Sequence, residues 1–172
     1  MKRASGPAKT LSGVGSSRPM RNRALIACLL LAAVTSTIYA TDLAVIVHPN
    51  NPVRAMTLAE FGRILRGKST TWPTGRTVTI VLRGLDVPVM KFLVEKAMGV
   101  GVAEAKTILT DPARKTTSPV VFADTDADVI KIVAANSSAI GIIDVYSITG
   151  GVKVIKIDDK QPFDPGYVLK GH

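Results

Sequence analysis

Five short apolar runs alternate with four segments of helical character between residues 43 and 157, and this alternation constrains the fold more than any other feature of the 172-residue chain. Leu43, Ala44, Val45, Ile46 and Val47 form a continuous, partly β-branched run closed by His48, Pro49, Asn50, Asn51 and Pro52. An unbroken apolar run of that length, bounded by turn formers, reads as a strand buried on both faces. Residues 78–82, 119–122, 139–143 and 152–157 read as further strands. Lys153 and Lys156 in the last of them suit an edge position, where charge discourages pairing with other chains.

The helical segments carry their own start signals. Thr57 and Glu60 have the spacing of a capping box, in which hydroxyl and carboxylate each satisfy a free backbone donor. The helix behind them is expected over residues 58–65, with Leu58, Phe61 and Leu65 on one face, and Trp72, Pro73, Thr74 and Gly75 form a turn. Asp86 and Pro88 occupy the expected cap and first turn of a second helix that runs to Gly99. A third is expected over 102–109, stopped by Asp111 and Pro112. Thr125 and Asp128 open a fourth, with Val129, Ile132 and Val133 as its buried stripe and Asn136 at its end. Together these elements predict an α/β domain over residues 41–157, with a mainly parallel, mixed five-stranded sheet flanked by helices. Residues 158–172 read as a polar tail rich in turns, with Pro162, Pro165 and Gly166.

Ahead of this domain, Lys2, Arg3, Lys9, Arg18, Arg21 and Arg23 precede an 11-residue apolar run, 24–34, with no acid among them. A positive segment followed by a short apolar core is the order of a secretory signal, whereas spanning a bilayer takes about 20 apolar residues. Residues 1–40 are therefore expected to be a removable signal cleaved after Ala40, with translation starting at Met1 or at Met20. Leu25, Ile26, Ala27 and Cys28 imitate a lipoprotein box, but most of the apolar run follows the cysteine, so Cys28 reads as a residue of the signal core. The expected location is the periplasm, with no membrane span in the mature form.

Six of the 22 Lys and Arg lie in that signal and none of the 13 acids does, so residues 41–172 carry 16 cations against 13 acids, a net charge of +3. The basic balance thus belongs mainly to the signal. No basic stripe or aromatic platform suited to nucleic acid remains. The 132 residues left are enough for one core, and without a cysteine they exclude disulfide and thiol chemistry. His48 and His172 are the only imidazoles. No His, Asp or Glu spacing suggests a metal site, His48 reads as a turn residue, and no nucleophile stands beside a base and an orienting acid. Gly99, Val100 and Gly101 are too short a run for a nucleotide loop. We expect no enzyme activity, metal or cofactor.

The strand at 43–47 with its His-Pro-Asn-Asn-Pro ending, the helix Leu58–Leu65 continuing into Arg66, Gly67 and Lys68, and the turn at Trp72 and Pro73 together resemble the phosphate-binding periplasmic proteins of ABC transporters. Val81, Leu82 and Arg83 resemble that family's strand-end arginine, and Ala139, Ile140, Gly141, Ile142 and Ile143 resemble its late "A-I-G-Y" strand. The resemblance covers residues 42–157 and implies a single lobe of a type II periplasmic binding protein. Family receptors close two such lobes about an anion, so one lobe offers half a cleft. The family places Ser-Gly-Thr at the next helix start, where hydroxyls and backbone donors cradle phosphate. Val87, Pro88 and Val89 stand there instead, behind Asp86, which removes hydroxyls and one donor and adds a competing carboxylate.

The resemblance thus implies a non-enzymatic substrate-binding-like protein for phosphate or a related oxyanion, with a weakened site. Its expected ligand-binding residues are Arg83, Gly84, Arg114, Lys115, Thr116 and Thr117. A guanidinium grips two oxygens at once, and the 114–117 loop is expected to face the same mouth, beyond the strand ends. The plain alternatives are an Arg83–Asp86 ion pair and a solvated 114–117 loop. The second functional reading is an envelope interaction module that docks a protein partner through the old cleft or through the face around Phe61 and Trp72.

Overall fold

The computed structural model describes residues 42–171; the signal segment with Met20 and Cys28, and His172, lie outside the described residues. The first strand, β1, is Leu43–Val47, and all five of its residues are fully buried. His48 is indeed a turn residue: its carbonyl accepts from Asn51 N at 2.9 Å and its Nδ1 from Asn50 N at 3.0 Å. After a short strand β2, Ala55–Met56, helix α1 covers Leu58–Leu65. Its capping box is complete, with Glu60 N donating to Thr57 Oγ1 at 3.1 Å and Thr57 N to Glu60 Oε2 at 2.8 Å.

Strand β3 is Thr79–Arg83, and helix α2, Pro88–Leu93, runs on as a π-helical turn, Val94–Met98. Its N-cap is Val87, with no side-chain cap, so Asp86 is not the cap that was expected. Proline is favoured at the first helical position, where its fixed φ suits the helix and its missing donor is not needed, so the residue before it, Val87, takes the cap position. Helix α3 is Val102–Leu109, and a further short helix, α4, occupies Arg114–Thr117, where a loop was expected. Strand β4, Val120–Ala123, leads into α5, Asp126–Ala135, which is capped by Thr125. The buried stripe of α5 is Val129, Ile130 and Val133, with Ile132 only partly buried. Strand β5 is Ala139–Asp144, followed by a 3-10 turn at Val145–Ser147. The last run divides into β6, Lys153–Val154, and β7, Lys156–Ile157.

The main sheet has the order β4-β3-β5-β1-β6, with β2 and β7 forming a separate parallel pair. Strand β3 is parallel to β4 and β5, while β1 is antiparallel to β5 and β6. The five-stranded mixed sheet flanked by helices is therefore present, with half of its pairings parallel rather than most. Burial explains why direction was hidden. Leu43, Val45 and Val47 face the larger core with Phe61, Leu65 and Leu93, while Ala44 and Ile46 face a second core with Val129 and Val133. A strand covered on both sides is apolar whichever way it runs.

Two glycines set how closely the helices approach. A Cβ on Gly62 of α1 would lie 2.2 Å from the Ala97 carbonyl oxygen of the π-helical turn. One on Gly141 of β5 would lie 2.8 Å from methyl groups of both Val129 and Val133 on α5. Residues 158–171 are rich in turns, yet Tyr167 and Leu169 are buried, and Leu43 N donates to Leu169 O at 3.0 Å. Phe61 and Trp72 are buried too, with Trp72 Nε1 donating to Ser138 O at 2.8 Å. Neither ring stands exposed on that face, though Trp72 lines a cavity of about 390 Å³ there with Met56, Arg63 and Pro73.

Candidate functional site

Beyond the C-terminal ends of the parallel strands, three elements converge. Arg83 ends β3 and sits in register with Ala123 of β4. Asp126 opens α5, and Asp144 ends β5. Arg83 Nη1 lies 3.6 Å from Asp126 Oδ1, and the other oxygen of that carboxylate accepts from Asp144 N at 3.2 Å. The partner of Arg83 is therefore Asp126 at the start of α5, not Asp86 on its own turn. At 3.6 Å the contact is an ion pair rather than a hydrogen bond. Arg83 Nε is buried and has no hydrogen-bond partner among the described residues. A buried donor left unpaired costs about 1–3 kcal/mol; the side chain as a whole is 30 % exposed, so a ligand meets its terminal nitrogens rather than Nε.

The carboxylates around this arginine follow from helix chemistry. Asp126 and Asp128 lie in the first turn of α5, where negative charge is favoured by the helix dipole. Thr125 Oγ1 donates to Asp128 Oδ2 at 2.6 Å and accepts from Asp128 N at 3.1 Å. Asp126, one of the acids that favour the helix start, thus also opposes an incoming anion at Arg83. Asp126 as a partner of Arg83 was missed in the sequence, where its one signal is its place in that acidic turn.

Gly84 follows Arg83 and lines a cavity of about 470 Å³ with Leu85, Lys106 and Phe122. The other four candidate residues lie elsewhere. Helix α4 directly precedes β4, which runs parallel to β3, so Arg114–Thr117 sits at the N-terminal end of the sheet and Arg83 at the C-terminal end. The expectation that they face one mouth is corrected by that topology: ligands gather beyond the carboxyl ends of such strands.

Arg114 is 6 % exposed and serves α1 instead. Its Nη1 donates to Leu65 O at 2.5 Å, its Nη2 to Ile64 O at 3.2 Å and its Nε to Ser118 O at 3.4 Å. The last carbonyls of a helix have no partner within the helix, and this guanidinium supplies one. Burial pushes the Arg114 pKa below its ordinary value, with Asp111 acting in the opposite direction. The Thr116 and Thr117 hydroxyls both donate back to Ala113 O, at 3.4 and 3.2 Å. Lys115 is exposed and lines a smaller cavity of about 230 Å³.

The PBP superfamily domain matches residues 8–162. The chain belongs to that superfamily. This PBP superfamily member resembles a Clostridium perfringens protein, assigned to the phosphate ABC transporter substrate-binding proteins and solved with bound phosphate, at 25 % identity and a TM-score of 0.59. That match covers 73 % of this chain and 48 % of the other. An ABC-type phosphate transport receptor from Vibrio cholerae matches at 22 % identity and a TM-score of 0.61, over 76 % of this chain and 53 % of its own. PstS from Borrelia burgdorferi matches at 16 % and 0.63, over 79 % and 57 %. At those last two identities the likeness is one of fold. The chain spans about half the length of these structures, and no curated protein matches it. No helix among the described residues is long and apolar enough to cross a membrane.

Proposed function

We propose that this PBP superfamily member is a non-enzymatic, periplasmic substrate-binding-like protein of the phosphate ABC-transport type, exported by its N-terminal segment and holding phosphate or a related oxyanion weakly through Arg83. The observation that carries this reading is the Arg83 guanidinium at the C-terminal end of β3, its side chain 30 % exposed and held by a carboxylate only at ion-pair distance. The Clostridium perfringens relative with bound phosphate supports the ligand class. Gly84 belongs to the same strand end, and Lys115, Thr116 and Thr117 are assigned no part in the grip. Asp126 beside Arg83, and Val87, Pro88 and Val89 at the next helix start, account for the weakness.

The test is the melting temperature of the purified protein with phosphate, sulfate or an organic phosphate, repeated on Arg83→Ala. An upward shift that disappears in the variant supports the reading. The same shift in both proteins removes it.

A second reading is favoured by the Asp126–Arg83 ion pair, which partly neutralises the cation at the end of β3. On that reading the lobe has given up anion binding and docks an envelope protein through the old cleft. Silence toward every anion, together with loss of binding to a defined envelope partner on charge reversal of Arg83, would favour it.

A further inference from the structure

The two outer strands of the main sheet are finished differently. At one edge, β6 carries Lys153, whose ammonium donates to the Asn51 carbonyl. At the other, β4 reads Val-Val-Phe-Ala, with no charge and no bulge to discourage a further strand. Ile80 N donates to Pro119 O at 2.8 Å, and the register continues from Ile80 opposite Val120 to Arg83 opposite Ala123. Alternate residues of a parallel strand bond to the same side. Pro119, Val121 and Ala123 therefore bond inward, and the backbone groups of Val120 and Phe122 point off the sheet. Phe122 is 41 % exposed, and Val121 beside it is exposed as well.

The side chains of Val120 and Phe122 lie on the α3 face, because their partners Ile80 and Leu82 belong to the larger core. There the 470 and 230 Å³ cavities lie side by side along the free edge, both lined by Phe122 and by Thr110, which caps α3, and together they make a two-part trench. Lys91 and Lys106 line its larger part and Lys115 its smaller. Of the two carboxylates there, Asp86 and Asp111, the latter already accepts from Ala113 N at 2.9 Å.

We propose that β4 takes up an extended peptide segment of a partner protein as a sixth strand, and that this segment presents apolar residues flanked by acidic ones to the trench. Backbone bonds to Val120 and Phe122 supply affinity, and the side-chain cavities on either side of Phe122 supply selection, as in other cases of strand addition. The lysines choose acidic flanks. They also argue against a second copy of this chain, because a two-fold pairing of β4 with itself sets two lysine-rimmed trenches side by side on one face. This site is independent of the anion reading at Arg83.

The probe is the labelled heptapeptide acetyl-Glu-Thr-Val-Thr-Val-Thr-Glu-amide, whose Glu and Val residues share one face of a strand. It is titrated into the purified full chain by fluorescence anisotropy. Saturable binding is expected, together with slower hydrogen exchange at the Phe122 amide. Exchanging both Glu for Lys in the peptide, or Lys106→Glu in the protein, should each weaken binding at least about tenfold, the size of one lost charge-assisted bond. Methylating the peptide nitrogens that face β4 should abolish binding. Two of these contrasts lie in the peptide, so they hold even if a protein variant fails to fold. Absence of saturable binding, or equal binding of the N-methylated or lysine peptide, overturns the proposal. A dimer that Phe122→Lys dissolves overturns it in favour of a second copy.

Discussion

Arg83 and Arg114 carry the same guanidinium, and the fold uses them in opposite ways. Arg114 is almost wholly buried, and all three of its nitrogens donate to backbone carbonyls, two of them at the end of α1. Arg83 is partly exposed, faces one carboxylate at ion-pair distance and keeps a donor without a partner. What separates them is the geometry of supply. A helix end offers several fixed carbonyl oxygens at close range, and they saturate a fork of five donors. A strand end offers few, so the remaining donors stay available to a ligand. A basic residue at a strand end is therefore a better candidate for anion binding than one inside a basic cluster.

The contrast breaks most visibly at Arg114. Arg114→Ala leaves the Ile64 and Leu65 carbonyls without their partner, and we expect a loss of about 2–4 kcal/mol in urea unfolding. Any phosphate response of the folded protein should be unchanged. Lysine should rescue little, because an ammonium lacks the planar fork that reaches three acceptors.

Thr57 tests the other end of the same helix. Thr57→Ala removes the cap and should cost about 1 kcal/mol. That α1 is weakened more from its C-terminus than from its N-terminus is the specific expectation, and a larger loss at Thr57 would mean that Arg114 holds less of the helix than its contacts imply.

Arg83→Ala should change stability by less than about 1 kcal/mol, since a partly exposed ion pair contributes little. A loss as large as that at Arg114 would make Arg83 a structural residue as well and erase the comparison.

The smallest effect is one of pH. The backbone N–H and then the hydroxyl of Thr57 hold the Glu60 carboxyl below its ordinary pKa, assisted by Arg63 and opposed by burial. A lowered folded pKa means a stabilising contribution that is present above the ordinary carboxylate range and disappears as pH falls through the lowered value. The difference in melting temperature between wild type and Glu60→Gln should therefore be largest near neutrality and close in acid.

How much of this was legible follows from where each signal lies. Helix α1, its capping box and the ends of α3 could be read directly, because caps and stops act within a few residues. The direction of β1 could not, since a run buried on both faces contains no mark of its neighbours. Ile130 rather than Ile132 completes the buried stripe of α5, a difference of two positions that the helical period alone does not decide. At the site, Arg83 could be placed from the strand before it. The role of Arg114 could not, because its acceptors lie 49 and 50 residues away in sequence and no local pattern announces them. Asp126 was hidden for the same reason: it reads locally as an acid in the first turn of its own helix, and only the fold brings it to Arg83.

The most direct measurement is a calorimetric titration of phosphate into the wild type, Arg83→Ala and Asp126→Asn, side by side. If Arg83 is the anion contact and Asp126 its competitor, the wild type binds weakly, Asp126→Asn binds several-fold more tightly, as removal of a neighbouring like charge implies, and Arg83→Ala does not bind. Equal affinity in all three proteins would contradict the account.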